Sequence, residues 1–274
     1  MQYSKKLAEI FKKKNLKSDY LFSLLVNFWF APCDAFLRAP EIAIWKNIKF
    51  VKPTLNIGCS DGRMDRYLFE GKNIDVALDN DRRLIKLARK SGLYKKTILT
   101  SADKIPFEDE YFSTIVSNST FEHIKNDLES VKEASRVLKK GGSFILTTTN
   151  DRFLKTMFKL DLKEDKLKRY NKRVNHYHYK SEDDWVKILK DVGFSKVYTK
   201  TYDPDDWMRT WWILFRMTTL RVYKRELWSY LKDSPYGKLF PKKLISTFIY
   251  ETLLHVYKKS YDSPGNWLFI WAIK

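Results

Sequence analysis

The chain of 274 residues carries 52 Lys and Arg against 33 Asp and Glu, a formal net charge of +19, with 44% apolar and 16% aromatic residues. That apolar share suffices for one large core and an appendage, which excludes general disorder, and the positive excess points to an anionic partner surface. Two cysteines, Cys33 and Cys59, are too few for a disulfide framework or a zinc ribbon and suit a reducing, intracellular compartment.

The opening MQYSKKLAEIFKKKNLK has basic residues but no apolar core followed by a small-residue cleavage site, so no secretory leader is expected. The longest uncharged run, 20–33, would rise only about 21 Å as a helix, short of the roughly 30 Å hydrocarbon layer, so any membrane contact is expected to be peripheral. Residues 1–50 read as a helical cap, within which Arg38 and Glu41 are spaced for a local ion pair. From 54 to 149 short β-rich runs alternate with helical stretches, which predicts an α/β doubly wound parallel sheet. The helix after Lys125 is expected to put Leu128, Val131, Ser135 and Leu138 on one face and to end at Gly141-Gly142. A basic insertion follows over 150–180, expected on the substrate side because additions at the carboxyl ends of parallel strands tend to wall the ligand site. The next helix opens on the capping pair Ser181 and Asp184 and closes at Gly193. The strand FSKVYTKTY, an aromatic and basic helical insertion over 203–265 and a final strand, NWLFIWAIK over 266–274, complete the chain.

The densest motif is Leu55-Asn56-Ile57-Gly58-Cys59-Ser60-Asp61-Gly62-Arg63-Met64. A strand running into a glycine turn that opens a helix lets the backbone approach a ligand, because Gly58 and Gly62 carry no Cβ. About twenty residues on, the second strand ends in Asp79, followed by Asn80, where a carboxylate can accept two bonds from vicinal ribose hydroxyls. Ala102-Asp103-Lys104-Ile105-Pro106-Phe107 offers a carboxylate for an adenine amino group between apolar side chains. The strand Phe112 to Val116 then leads into Ser117-Asn118-Ser119-Thr120-Phe121-Glu122-His123.

With these motifs in this order, residues from 51 to about 200 resemble the class I S-adenosylmethionine-dependent methyltransferases, particularly the small-molecule group that includes quinone-biosynthesis enzymes, which sets the expected core domain at 51–202. The likeness implies a Rossmann-like sheet of seven strands, the last antiparallel, with S-adenosylmethionine as cofactor. It implies that Asn56, Gly58, Cys59, Ser60 and Gly62 hold the methionine and ribose end, Asp79 with Asn80 the ribose, Ala102 and Asp103 the adenine, and that Ser117 lies under the methionyl side. Two departures stand out: Asn56 occupies the place of an acidic residue and Ser60 that of a glycine. The contact to the cofactor's amino group thereby loses its formal charge, although the Asn56 amide oxygen still accepts a bond.

Displacement at a sulfonium draws on positioning and desolvation of the nucleophile, so an acid/base dyad is not required. A hydroxyl acceptor would be helped by a base, and the candidates are His123, His176 and His178. No metal cluster is evident; Asp205-Asp206 reads as a helix start after Pro204.

Of nine tryptophans, Trp207, Trp211, Trp212, Trp228, Trp267 and Trp271 lie beyond residue 204. A helix from 207 would gather Trp207, Trp211, Leu214, Phe215, Thr218 and Val222 on one side, opposite Arg209 and Arg216. That face would either pack as a lid or insert at an anionic bilayer. The sequence therefore points to methylation of a small-molecule or lipid-linked acceptor, at a hydroxyl, by a cytoplasmic protein peripheral at the inner face of the membrane. The alternatives are an RNA-directed methyltransferase, against which stand the absence of an Asn-Pro-Pro-aromatic loop and of an RNA-binding module, and a non-catalytic cofactor-binding scaffold.

Overall fold

A computed structural model describes residues 2–160, 163–222, 225–239 and 241–274. These form two compact units, one of residues 1–7, 49–202 and 266–274 and the other of 8–48 and 203–265. The first is built on a sheet of β1 (Thr54–Ile57), β2 (Ile74–Asp79), β3 (Tyr94–Leu99), β4 (Phe112–Asn118), β5 (Leu138–Thr149), β6 (Lys196–Tyr202) and β7 (Trp267–Ile273). Its order is β3-β2-β1-β4-β5-β7-β6. Strands β1 to β5 pair in parallel, and β7 runs antiparallel between β5 and β6. The expected seven-stranded Rossmann-like sheet, with its last strand antiparallel, is the one observed.

Burial follows from position. Strand β1 lies between β2 and β4 and β7 between β5 and β6, so both are covered on two faces and read as continuous buried runs. Leu55, Ile57, Leu78, Ile115, Phe144, Leu146, Leu268 and Ile270 pack one face against Val131, Ala134, Trp185 and Leu189. The helix carrying the last two, Glu182–Asp191, opens on the expected Ser181 and Asp184 capping box.

The helix after Lys125 departs from expectation. It spans Asp127–Val137, leaves Leu128 exposed, and yields to β5 at Leu138 rather than running to the Gly pair. Opposite β4 the register jumps from Phe112–Leu138 to Thr114–Ser143, so residues 139–142 bulge out. Gly141 (φ 74°) turns that bulge, its N–H donating to the Lys274 carbonyl at 2.8 Å. Tertiary pairing with β4 and the chain end has overridden a helix pattern that was locally adequate.

In the second unit the N-terminal helices and the later insertion, distant in sequence, pack as one body. Helices Ser18–Asn27, Pro32–Lys46, Asp205–Thr218 and Lys242–Tyr257 supply it. Phe36 stacks on Trp207 with centroids 4.4 Å apart, and the Tyr261 hydroxyl donates to the Pro40 carbonyl at 3.0 Å. Asp205 and Asp206 start a helix, as expected. No described helix is long and apolar enough to cross a membrane.

The expected Arg38–Glu41 pair forms at 2.7 Å, with the Glu41 side chain fully buried. Removing one member of a buried pair leaves the other charge without its counter-ion. Arg38→Ala should therefore lower stability by about 3 kcal/mol in urea denaturation, and Glu41→Gln added to it should recover much of that loss.

Candidate functional site

In an open sheet, ligands bind where neighbouring strands feed connections to opposite sides. Here β1 leads outward to β2, and β4 leads to β5 in the other direction, so the crevice lies past the carboxyl ends of β1 and β4. The turn leaving β1 is clamped to β2, since the Gly58 and Cys59 N–H groups both donate to the Leu78 carbonyl, at 2.9 and 3.1 Å. Gly58, Ser60 and Gly62 all take positive φ, at 79°, 49° and 78°. A Cβ on Gly58 would lie 2.2 Å from Thr120 Cγ2, so that position admits no side chain.

Asp79 spans the mouth of this turn. Its Oδ2 accepts the Ser60 N–H at 2.8 Å and its Oδ1 the Asp81 N–H at 2.9 Å. Asp81 in turn caps the Arg82–Lys90 helix through the Arg83 and Leu84 N–H groups. The Asp79 carboxylate is thus oriented by backbone on both oxygens, and each oxygen retains a further lone pair. Asn80 beside it is exposed.

Asn56 is buried at the base of the turn and donates through Nδ2 to Asp65 Oδ2 at 2.5 Å. The same carboxylate oxygen accepts the Tyr94 hydroxyl. Burial, with the neighbouring Asp65 charge, pushes the Tyr94 hydroxyl well above its ordinary pKa, so it stays a donor. A carboxylate therefore stands beside Asn56 after all, delivered by the helix Asp65–Leu68 rather than by β1. Burial likewise pushes the Cys59 thiol up, and Cys59 packs with Ala77, Ile85 and Ala88, so its part in the turn is packing and backbone.

Ala102 is buried in the main core. Hydrogen bonds from Ser101 and Asn126 hold Asp103 below the ordinary aspartate range; the Asn126 amide meets Oδ2 at 3.3 Å. Its Oδ1 is shielded from solvent and has no hydrogen-bond partner among the described residues. An amino group of a planar ligand is a suitable donor for such an atom. Ser117 is fully buried and its hydroxyl donates to the Ile57 carbonyl at 3.0 Å, tying β4 to β1 beneath the turn. It acts there as a strut.

Beyond β4, the turn Phe121–His123 meets the basic segment. His123 and His176 ring centroids are 4.7 Å apart, and the Tyr177 N–H donates to the Glu122 carbonyl at 2.8 Å. Burial, with His123 adding to it, lowers the His176 pKa to about 3. His178 is turned elsewhere: Nε2 lies 3.1 Å from the Lys125 carbonyl and 3.6 Å from Asp127 Oδ1. Its ring therefore anchors the segment to the start of the Asp127–Val137 helix. Glu122, which sequence reasoning did not single out, is 2% exposed and accepts the Thr148 hydroxyl at 3.0 Å. Its burial has no local signature, because the covering residues come from β5 and from the segment around 176.

Residues 55–146 match the model of the methyltransferase domain family. An uncharacterized protein of Methanocaldococcus jannaschii is 31% identical over 144 residues, 52% of this chain and 64% of that protein. Tocopherol O-methyltransferase of Arabidopsis thaliana is 31% identical over 119 residues, 41% of this chain and 34% of that enzyme. The chain thus matches less than two thirds of the length of these relatives. Among solved structures, an S-adenosylmethionine-dependent methyltransferase of Thermotoga maritima, described as a possible histamine N-methyltransferase, superposes with a TM-score of 0.56 at 18% identity. That superposition covers 93% of this chain and 99% of the other, and at this identity it is a likeness of fold.

The contact at Gly58 gives a steric test of the turn. Gly58→Ala should destabilise the protein by about 3 kcal/mol, from overlap with Thr120 and the left-handed backbone. Thr120→Gly in the same chain should restore part of that loss in thermal unfolding.

Proposed function

We propose that this chain, which carries a class I S-adenosylmethionine-dependent methyltransferase domain, methylates a small-molecule acceptor at a hydroxyl, and that the acceptor is lipid-linked. The observation that carries the cofactor assignment is the Asp79 carboxylate, fixed by two backbone N–H groups beside a turn whose first glycine, Gly58, admits no side chain. On this reading Asp79 receives the ribose hydroxyls, Asp103 Oδ1 the adenine amino group, and the Asn56–Asp65 pair stands toward the methionyl ammonium. The bound cofactor supplies an electrophilic methyl group on a sulfonium. The chain's own share is to align an acceptor oxygen with that methyl group, to exclude water, and to draw off the hydroxyl proton. On this reading the exposed His123, past the end of β4, receives the proton; His176 does not serve, since burial holds its pKa at about 3. A tocopherol O-methyltransferase among the relatives supports an oxygen acceptor.

The lipid-linked and peripheral part of the reading rests on the second unit, though not on the face expected from sequence. Trp207 and Trp211 are buried within that unit, with Trp207 against Phe36, so this face is not presented to a bilayer. The exposed apolar side chains are others. Leu244 and Phe248, one turn apart on the Lys242–Tyr257 helix, are 72% and 76% exposed, beside Lys242 and Lys243. Ile213, Met217 and Leu220 are also exposed. Apolar side chains flanked by cations, on a chain with net charge +19, suit attachment to an anionic lipid surface.

Two measurements test these readings. Asp79→Ala should weaken S-adenosylhomocysteine binding in calorimetry by about 1.5–3 kcal/mol, while NADH binds neither form; an unchanged dissociation constant would remove Asp79 from the site. Leu244→Ser with Phe248→Ser should reduce sedimentation with phosphatidylglycerol vesicles by roughly tenfold or more, each large apolar side chain contributing about 1.5 kcal/mol or above when buried. Undiminished vesicle binding, or tight salt-sensitive binding to RNA in its place, would overturn the membrane reading.

A further inference from the structure

We propose that Glu122, His123 and His176 form a site for one divalent first-row transition-metal ion, with an open coordination position for an oxygen donor. Their arrangement goes beyond the cofactor reading and was not expected from the sequence, where the third residue is remote from the first two. Glu122 and His123 lie in the turn after β4. His176 follows Asn175, whose left-handed backbone (φ 56°) ends the Glu164–Val174 helix. One ligand atom from each of the three residues lies within 4.8 Å of the others.

Hydrogen bonding fixes which ring nitrogens are bare. The Tyr179 hydroxyl donates to Asn171 Oδ1 at 2.7 Å, so toward His176 Nδ1, 3.0 Å away, it can only accept. The proton of His176 therefore sits on Nδ1, and Nε2 is a lone pair. His123 Nδ1 faces the Asn175 carbonyl at 3.2 Å, and a carbonyl also only accepts, so His123 too has its proton on Nδ1 and a bare Nε2. An imidazole ligand whose other nitrogen is held by a carbonyl or a polar side chain is the usual outer arrangement of a metal-bound histidine. Glu122 is oriented in the same manner by the Thr148 hydroxyl, and a carboxylate so deeply buried is stabilised by positive charge at the centre of the group.

Two imidazole nitrogens and one carboxylate oxygen suit Zn²⁺, Mn²⁺, Fe²⁺ or Co²⁺ rather than the all-oxygen shells of Ca²⁺ and Mg²⁺. Donors on a tetrahedral ion with bonds near 2.0 Å stand about 3.3 Å apart, so the group closes by side-chain shifts of the order of an ångström. His123 is exposed and has room to make that shift. Three protein ligands leave a position open, as in metal sites that engage a substrate or water. Thr120, in the same connection, abuts Gly58, which places the site on the rim of the cofactor turn. If the methyltransferase reading holds, the open position takes the acceptor hydroxyl, and the ion rather than a histidine lowers its pKa, releasing the proton to solvent. Ion binding itself does not depend on that reading.

The test is titration of the full chain, stripped with a chelator, with Co²⁺ followed by visible absorption and with Zn²⁺ followed by calorimetry. One ion per chain at micromolar affinity or tighter is expected, with d–d bands from Co²⁺. His123→Ala and Glu122→Gln should each weaken binding at least tenfold while retaining the far-ultraviolet dichroism of the parent; His123, being exposed, keeps the test open if the Glu122 variant does not fold. Failure of the parent chain to bind either ion, or equal binding by the folded variants, would overturn the site. S-adenosylhomocysteine titrated into the same samples separates the two readings. Ion binding without it leaves the metal site standing and sinks methyl transfer, and the reverse result sinks the metal site alone.

Discussion

A single carboxylate, held by backbone on both oxygens, sets the geometry of the functional edge. Ser60 adopts a left-handed conformation that costs a residue with a Cβ about 1–2 kcal/mol. The bond from its N–H to Asp79 offsets that cost, because hydrogen bonds to an ionised acceptor are worth more than neutral ones. The same carboxylate accepts the N–H of Asp81, whose own side chain caps the next helix. Turn, strand end and helix start are thereby locked to one another around Asp79. A residue other than glycine is tolerated at position 60 because the end of the neighbouring strand accepts its N–H.

Charge at the base of the turn is relocated in the same way. The uncharged Asn56 would leave the base of the turn without a carboxylate, yet Asp65 lies against it and accepts from both Asn56 and Tyr94. Both of these donors are neutral. A cation arriving at the turn would therefore meet a negative field, and one held in a less solvated setting than a carboxylate at the turn surface would have.

The sheet was legible because its signal is redundant. Most of the strand runs are short and β-rich, the helices between them are periodic, the glycine turn and Asp79 fall at strand ends, and Asp103 lies just beyond β3. Candidate cofactor contacts could thus be proposed by counting along the chain. The helix boundary at Val137 could not, since the residues up to Lys140 suit a helix and only pairing with β4 and Lys274 pulls them into β5. Nor could Asp65, whose role depends on which way a four-residue helix turns, nor the group of Glu122, His123 and His176, assembled by two connections on the same edge. His178, by contrast, matched its expected segment but is bound to the Lys125 carbonyl. The direction of its ring is set by a neighbour that the sequence does not specify.

The second unit shows why an amphipathic pattern names two faces without saying which one is covered. The Asp205–Thr218 helix has tryptophans on one side and arginines on the other, which fits a lipid-inserted face and a packed face equally well. Burial of Trp207 on Phe36 decides the matter through the N-terminal helices, whose own apolar surface needs a partner as large as two indoles. Once that need is met, what remains outside is not the most hydrophobic face but the residue of the pattern: Ile213 and Met217 on this helix, and Leu244 and Phe248 on the last. Contacts to a lipid surface would therefore be made by scattered Leu, Phe, Ile and Met side chains set among lysines and arginines. Such contacts are individually weak, so lipid charge governs them more than insertion depth does.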